Sequence, residues 1–142
     1  MQTYREAIQY AEKIHKMFIK DGKRVVDIAN ESDIAPSKVS AETRRYIEYL
    51  QRLENPVFAA IIDYCNDMPV SITNSIIRAL SWRFRDVTSV SRPYEYKVNL
   101  TPQKFMEMTE KDIMNLRSIG QLKGNIILEI QKNFKEKHQD ET

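Results

Sequence analysis

The sequence predicts an all-α protein. Three observations carry that reading. Apolar residues recur three and four apart in most segments. Asp21-Gly22, Pro36 and Asn55-Pro56 fall between those segments, where helices start and stop. Only one stretch, Tyr94 to Val98, alternates apolar with polar residues as a half-buried strand does.

The elements follow in chain order. Tyr4, Ala7, Ile8, Ala11, Ile14 and Phe18 form one stripe, predicting a helix over about residues 2–20. Asp21-Gly22 ends it, since glycine takes the left-handed cap conformation at little cost. Val25, Val26, Ile28 and Ala29 begin a short second helix, broken at Ser32-Asp33. Pro36 suits the first turn of a third helix, although Ala35 before it is a poor N-cap. That helix is expected to bury Val39, Thr43, Tyr46, Ile47, Leu50 and Leu53, and to expose Ser37, Lys38, Ala41, Arg44, Arg45 and Glu48. Asn55-Pro56 marks the expected boundary between a unit over 1–54 and a second over 56–138. Helices are expected over about 57–67 and 71–86, the latter with Ile72, Ile76, Leu80 and Phe84 inward. Thr88 to Leu100 reads as a structured loop, because a single strand has no evident partner. Helices over about 102–107, 109–116 and 121–136 complete the chain, with a charged, frayed tail at 139–142. Two units this small have thin cores, so they are expected to pack on each other or to dimerise.

Composition narrows the function classes. The 142 residues are 42% hydrophobic and 30% charged, ordinary globular values. No apolar run of about 18 residues exists, so no membrane span is expected. The polar start MQTYREAIQYAEK argues against a signal peptide. Cys65 is the lone cysteine, which fits a reducing compartment, and it reads as a small core residue. No metal-ligand spacing, phosphate loop or nucleophile motif is present, so no metal, cofactor or enzymatic activity is expected. Net charge is only +2, but basic residues cluster. Lys38, Arg44, Arg45 and Arg52 outnumber Glu42 and Glu48 in one segment; Arg117 to Lys137 carries five basic residues against Glu129 and Glu136. Such patches attract phosphates, and are also what solvated helix faces look like. Trp82 lies among Arg78, Arg83 and Arg85; packing and stacking on an exposed base both remain open for it.

Two segments carry resemblances. Residues 24–50, RVVDIANESDIAPSKVSAETRRYIEYL, resemble the helix-turn-helix of sigma-factor region four through Val25, Ile28, Ala29, Ile34, Val39, Tyr46, Ile47 and Leu50. That resemblance implies a second helix in the DNA major groove. Ser37, Lys38 and Ala41 would stand at base edges, and Arg44 and Arg45 at base edges or phosphates. Asp33 stands where many such proteins have glycine, and Ala41 carries no hydrogen-bonding group.

Residues 99–130, NLTPQKFMEMTEKDIMNLRSIGQLKGNIILEI, are similar to the C-terminal domain of the bacterial RNA polymerase alpha subunit. The likeness centres on a helix-hairpin-helix, Ser118-Ile119-Gly120-Gln121-Leu122-Lys123-Gly124. It implies a phosphate held by backbone N–H groups near Ser118 and Gly120, with Lys123 alongside and Gly124 allowing close packing. That family's DNA-contacting arginine falls here at Ser75, and Arg78 is the nearest arginine. Together the resemblances imply a cytoplasmic transcription regulator or accessory factor of bacterial or phage type, binding double-stranded DNA. The competing expectation is a protein-interaction module docking on RNA polymerase or another transcription factor.

Overall fold

The computed structural model describes residues 2–86 and 97–140. Among them are eight helices: α1 Tyr4–Ile19, α2 Val25–Ser32, α3 Pro36–Leu53, α4 Pro56–Cys65, α5 Val70–Arg83, α6 Pro102–Glu107, α7 Glu110–Met114 and α8 Gln121–Asp140. Two short strands, β1 Arg85–Asp86 and β2 Lys97–Val98, pair antiparallel between α5 and α6. The chain is mostly helical, as expected. The expected helix over 71–86 stops at Arg83, and Val98 has a strand partner after all. Local spacing cannot find a partner on the far side of a connection. Pro93, Tyr94 and Tyr96 lie outside the described residues. Helix α8 runs on to Asp140, beyond the expected end at 136; Glu141 and Thr142 lie outside the described residues. Among the described residues no helix is long and apolar enough to cross a membrane.

Local chemistry explains the ends. Thr3 and Glu6 form a capping box on α1, and Thr109 and Asp112 form one on α7. Those backbone bonds hold the Glu6 and Asp112 carboxyls below the usual range. Ala35 precedes α3 with no side-chain cap, as its methyl requires. Asn55 does more than punctuate. Its carbonyl accepts from the N–H groups of Val57 and Phe58, while its amide donates to the Leu100 carbonyl at 3.0 Å.

Two apolar clusters organise the helices. The smaller joins Ile14, Ile28, Ala29 and Val39, with Ile34 packed on it from the turn before α3. The larger includes Ile61, Ile76, Leu80, Phe105, Ile113 and Ile127. Tyr4 and Ile8 belong to the larger cluster, so α1 serves both: its first half packs toward α4 and α5, its second toward α2 and α3. Backbone bonds fasten the start of α1 to the α4–α5 turn: Tyr4 N–H to the Met68 carbonyl at 3.0 Å, Arg5 N–H to Asn66 at 2.9 Å, and Val70 N–H to Gln2 at 3.2 Å. Cys65 is a buried core residue, its thiol pushed up to about 11 by that burial.

Helix α3 is rotated from expectation. Val39 and Glu42 are buried, and Tyr46 and Tyr49 pack on the larger cluster. Ile47, Leu50 and Leu53, expected inward, are 43%, 44% and 39% exposed. The inward stripe is thus 39, 42, 46 and 49, and a glutamate stands in it. Reading only apolar residues skips Glu42 and shifts the phase. Phe18, expected in the α1 stripe, is likewise exposed.

Both turns of interest use left-handed residues that are not glycine. Asp33 has φ 53° at the end of α2, and Ser118 has φ 61° between α7 and α8. Ser118→Gly is expected to raise the unfolding free energy by about 1 kcal/mol, by removing the clash a Cβ makes there. Asp33→Gly is expected to gain less, since aspartate tolerates this region better. Urea unfolding of the two variants checks both values.

Candidate nucleic-acid interface

Helix α5 supplies the floor of the candidate site. Ser71, Asn74, Ser75, Arg78 and Trp82 recur at helical spacing on the side away from buried Thr73, Ile76, Ile77 and Leu80. Ser75, Arg78 and Trp82 stand out in the sequence one by one; Ser71 and Asn74, which complete the stripe, do not. This outer stripe is the one that brings the two halves together.

On one flank, α3 meets this floor. Ala41, Arg44, Arg45, Arg52, Asn74 and Arg78 line a crevice of about 180 Å³, together with the Glu48 carboxylate that pairs with Arg52. The geometry is set by Arg52, whose guanidinium is nearly buried. It donates to Asn74 Oδ1 at 2.9 Å, to the Tyr4 hydroxyl at 3.3 Å and to Glu48 Oε1 at 2.6 Å, linking α1, α3 and α5. Burial pushes the Tyr4 phenol up, and the Arg52 bond partly opposes it. Ser37, Lys38, Ala41 and Arg44 are exposed, as expected. Arg45 is half-covered and paired with Glu42 at 3.4 Å, so the carboxylate partly cancels its field at this surface. The other Glu42 oxygen is buried without a hydrogen-bond partner.

On the opposite flank lies the α7–α8 connection. Arg78, Trp82, Arg117 and Ser118 line a second groove, of about 590 Å³, that shares the α5 floor. Arg78 lines both spaces and makes them neighbours. Lys123 donates to Ser75 Oγ at 3.0 Å. A cation is therefore delivered from α8 to the α5 position where the resemblance implied an arginine. Trp82 is 44% exposed, with the Arg85 guanidinium 3.7 Å and that of Arg117 5.1 Å from its ring centroid. Phe84, by contrast, packs against the larger cluster.

The hairpin residues divide. Ser118, not Gly120, takes the left-handed conformation. A Cβ at Gly120 would meet nothing within 4 Å, so neither shape nor space demands glycine there. The turning is done two residues earlier, and Gly120 simply precedes α8. At Gly124 the expectation of close packing fits: a Cβ would lie 2.5 Å from Met114 Sδ. Leu122 is exposed beside Lys123.

The arrangement thus gathers Ala41, Arg44, Arg45, Arg78, Ser118 and Lys123, candidates from both halves of the chain, around one helix. Ser37 and Lys38 lie further along α3, and Gly120 and Gly124 support the hairpin. Among the described residues, Arg44, Arg78 and Arg117 form no ion pair. Neither a family model, a curated protein nor a solved structure matches the chain.

Proposed function

We propose that this is a cytoplasmic DNA-binding protein, a transcription regulator or accessory factor. The carrying observation is that Arg44, Arg45 and Arg78 line one crevice between α3 and α5, and that Arg78 continues into the groove of Arg117 and Ser118. Basic residues from both halves then act on one side of the molecule, the placement a duplex backbone favours. In this reading α2 and α3 serve as a helix-turn-helix. Ser37, Lys38 and Ala41 face base edges, and Arg44 and Arg45 face bases or phosphates. Ser118, Lys123 and the hairpin backbone hold phosphate further along the same strand path.

The test is fluorescence anisotropy with a short random-sequence duplex across a salt series. Arg44→Ala with Arg45→Ala is expected to weaken binding roughly 10- to 100-fold near 0.1 M salt, and to reduce the log–log salt slope by about 2, one per lost phosphate contact. Unchanged affinity and slope remove α3 from the reading.

A second reading is favoured by Ile47, Leu50 and Leu53, three exposed apolar residues on α3. Such a stripe suits docking on RNA polymerase or another transcription factor, or pairing with a second copy. A protein that binds no duplex at low salt but is captured by polymerase belongs to this class.

A further inference from the structure

We infer that the groove around Trp82 is a stacking site for an unpaired base of single-stranded DNA, which makes the protein a reader of opened or junction DNA rather than of continuous duplex alone. This deepens the DNA-binding reading and rests on it.

Four observations converge. The first is exposure: Trp82 shows nearly half its surface, whereas Phe84, two residues on, is half-buried against the larger cluster. The exposed part of the indole is open to stacking by a planar group. The second is charge. Guanidiniums from two separate elements, Arg85 after α5 and Arg117 after α7, lie within cation–π range of the one ring. Arg85 is held there by donating to the Trp82 carbonyl at 2.6 Å. Two like charges around one ring raise the local positive potential, which favours a phosphodiester nearby. The third is lining. Beside the indole, the groove presents the hydroxyls of Ser71, Ser75 and Ser118, the Asn74 amide and Arg78, with no carboxylate among its described lining residues. The fourth is size: about 590 Å³ falls within the roughly 300–1,000 Å³ of sites that take small planar ligands. An indole with one guanidinium stacked over its ring, beside a further cation and neutral hydrogen-bonding groups, is the chemistry that grips single strands: the base stacks on the ring or on the guanidinium plane that covers it, and the cations neutralise its phosphates. A paired base in a duplex has both faces occupied by its neighbours and cannot use the indole.

Trp82 is the chain's single tryptophan, so its emission reports this groove alone. The full-length protein is titrated with an oligothymidylate of about ten nucleotides, within the usual single-strand site sizes. In parallel it is titrated with a duplex of equal length. The expected result is marked quenching of tryptophan emission by the single strand. Trp82→Ala is expected to weaken single-strand binding, followed by anisotropy, roughly tenfold, and Trp82→Phe to retain most of it. Arg117→Ala is expected to weaken it by a smaller factor and to flatten its salt dependence. Circular dichroism melts of each variant confirm that the fold is kept. Unchanged emission at saturating single strand, or wild-type affinity in Trp82→Ala, overturns the inference while duplex binding leaves the wider reading standing. Absence of binding to either DNA at low salt overturns both.

Discussion

Gln131→Leu is expected to lower the unfolding free energy by about 2–4 kcal/mol, with the urea midpoint falling and the m-value unchanged. Gln131 is buried, and its amide nitrogen donates twice, to the Phe105 carbonyl at 2.9 Å and the Met108 carbonyl at 2.7 Å. These carbonyls lie at the C-terminal end of α6, where helical partners run out. Leucine fills much the same space, so the loss reports the missing donor, felt most at the Met108 carbonyl since the Phe105 carbonyl keeps the Met108 N–H, and not a cavity. Gln131→Glu sharpens the test. A carboxylate facing two carbonyl oxygens is repelled, and only the protonated acid can donate to one of them. Its folded-state pKa is therefore expected above the unfolded value of about 4.3. Stability is retained below that value and lost as pH rises through the folded-state pKa. The variant should be less stable than Gln131→Leu at pH 7 and recover on acidification toward pH 4. Equal urea midpoints at both pH values would contradict the assigned bonds.

Arg52→Met is expected to cost about 2–4 kcal/mol and to weaken duplex binding, although Arg52 is too buried to reach a phosphate itself. Methionine keeps the apolar stem. It leaves the Tyr4 hydroxyl, Asn74 Oδ1 and Glu48 without the guanidinium that joins them. Glu48 is half-exposed and water compensates it; Tyr4 is buried and Asn74 half-buried, and their loss is the larger part. Without this knot α3 and α5 no longer hold Arg44, Arg45 and Arg78 at one spacing. Arg52→Lys should recover less than half of the stability, because a single ammonium cannot serve three partners in the guanidinium's fixed geometry. Full DNA affinity in Arg52→Met, once folded, would separate the knot from binding.

The helices were legible because most carry a period or an end signal of their own: the stripe of α1, the Thr109 and Asp112 box of α7, proline at the starts of α3, α4 and α6. The phase of α3 was not, because a buried Glu42 breaks the equation of apolar with inward. The pairing of Val98 with Arg85 was hidden by the connection between them. For the candidate site, Arg44, Arg45, Arg78 and Lys123 were visible one by one as basic residues at helical positions. Their convergence was not, since it depends on Arg52 reaching Tyr4, 48 positions away, and on Lys123 reaching Ser75 across an equal separation. Ser118 was legible as a hairpin residue, but only the backbone reveals that serine bears the left-handed turn. Trp82 stayed open because exposure is a property of the assembled fold.

The backbone bonds between residues 2–5 and 66–70 set an order of events during synthesis. The first turn of α1 reaches its partners only after Asn66 and Met68 have left the ribosome. A nascent chain shorter than that carries Tyr4 and Ile8 without the wall they pack against, while Ile14 already has Ile28, Ala29 and Val39 at hand. The α2–α3 end therefore settles early and by short-range contacts. The opposite end waits on closure of a loop of some sixty residues, the span that also separates Arg5 from Asp67.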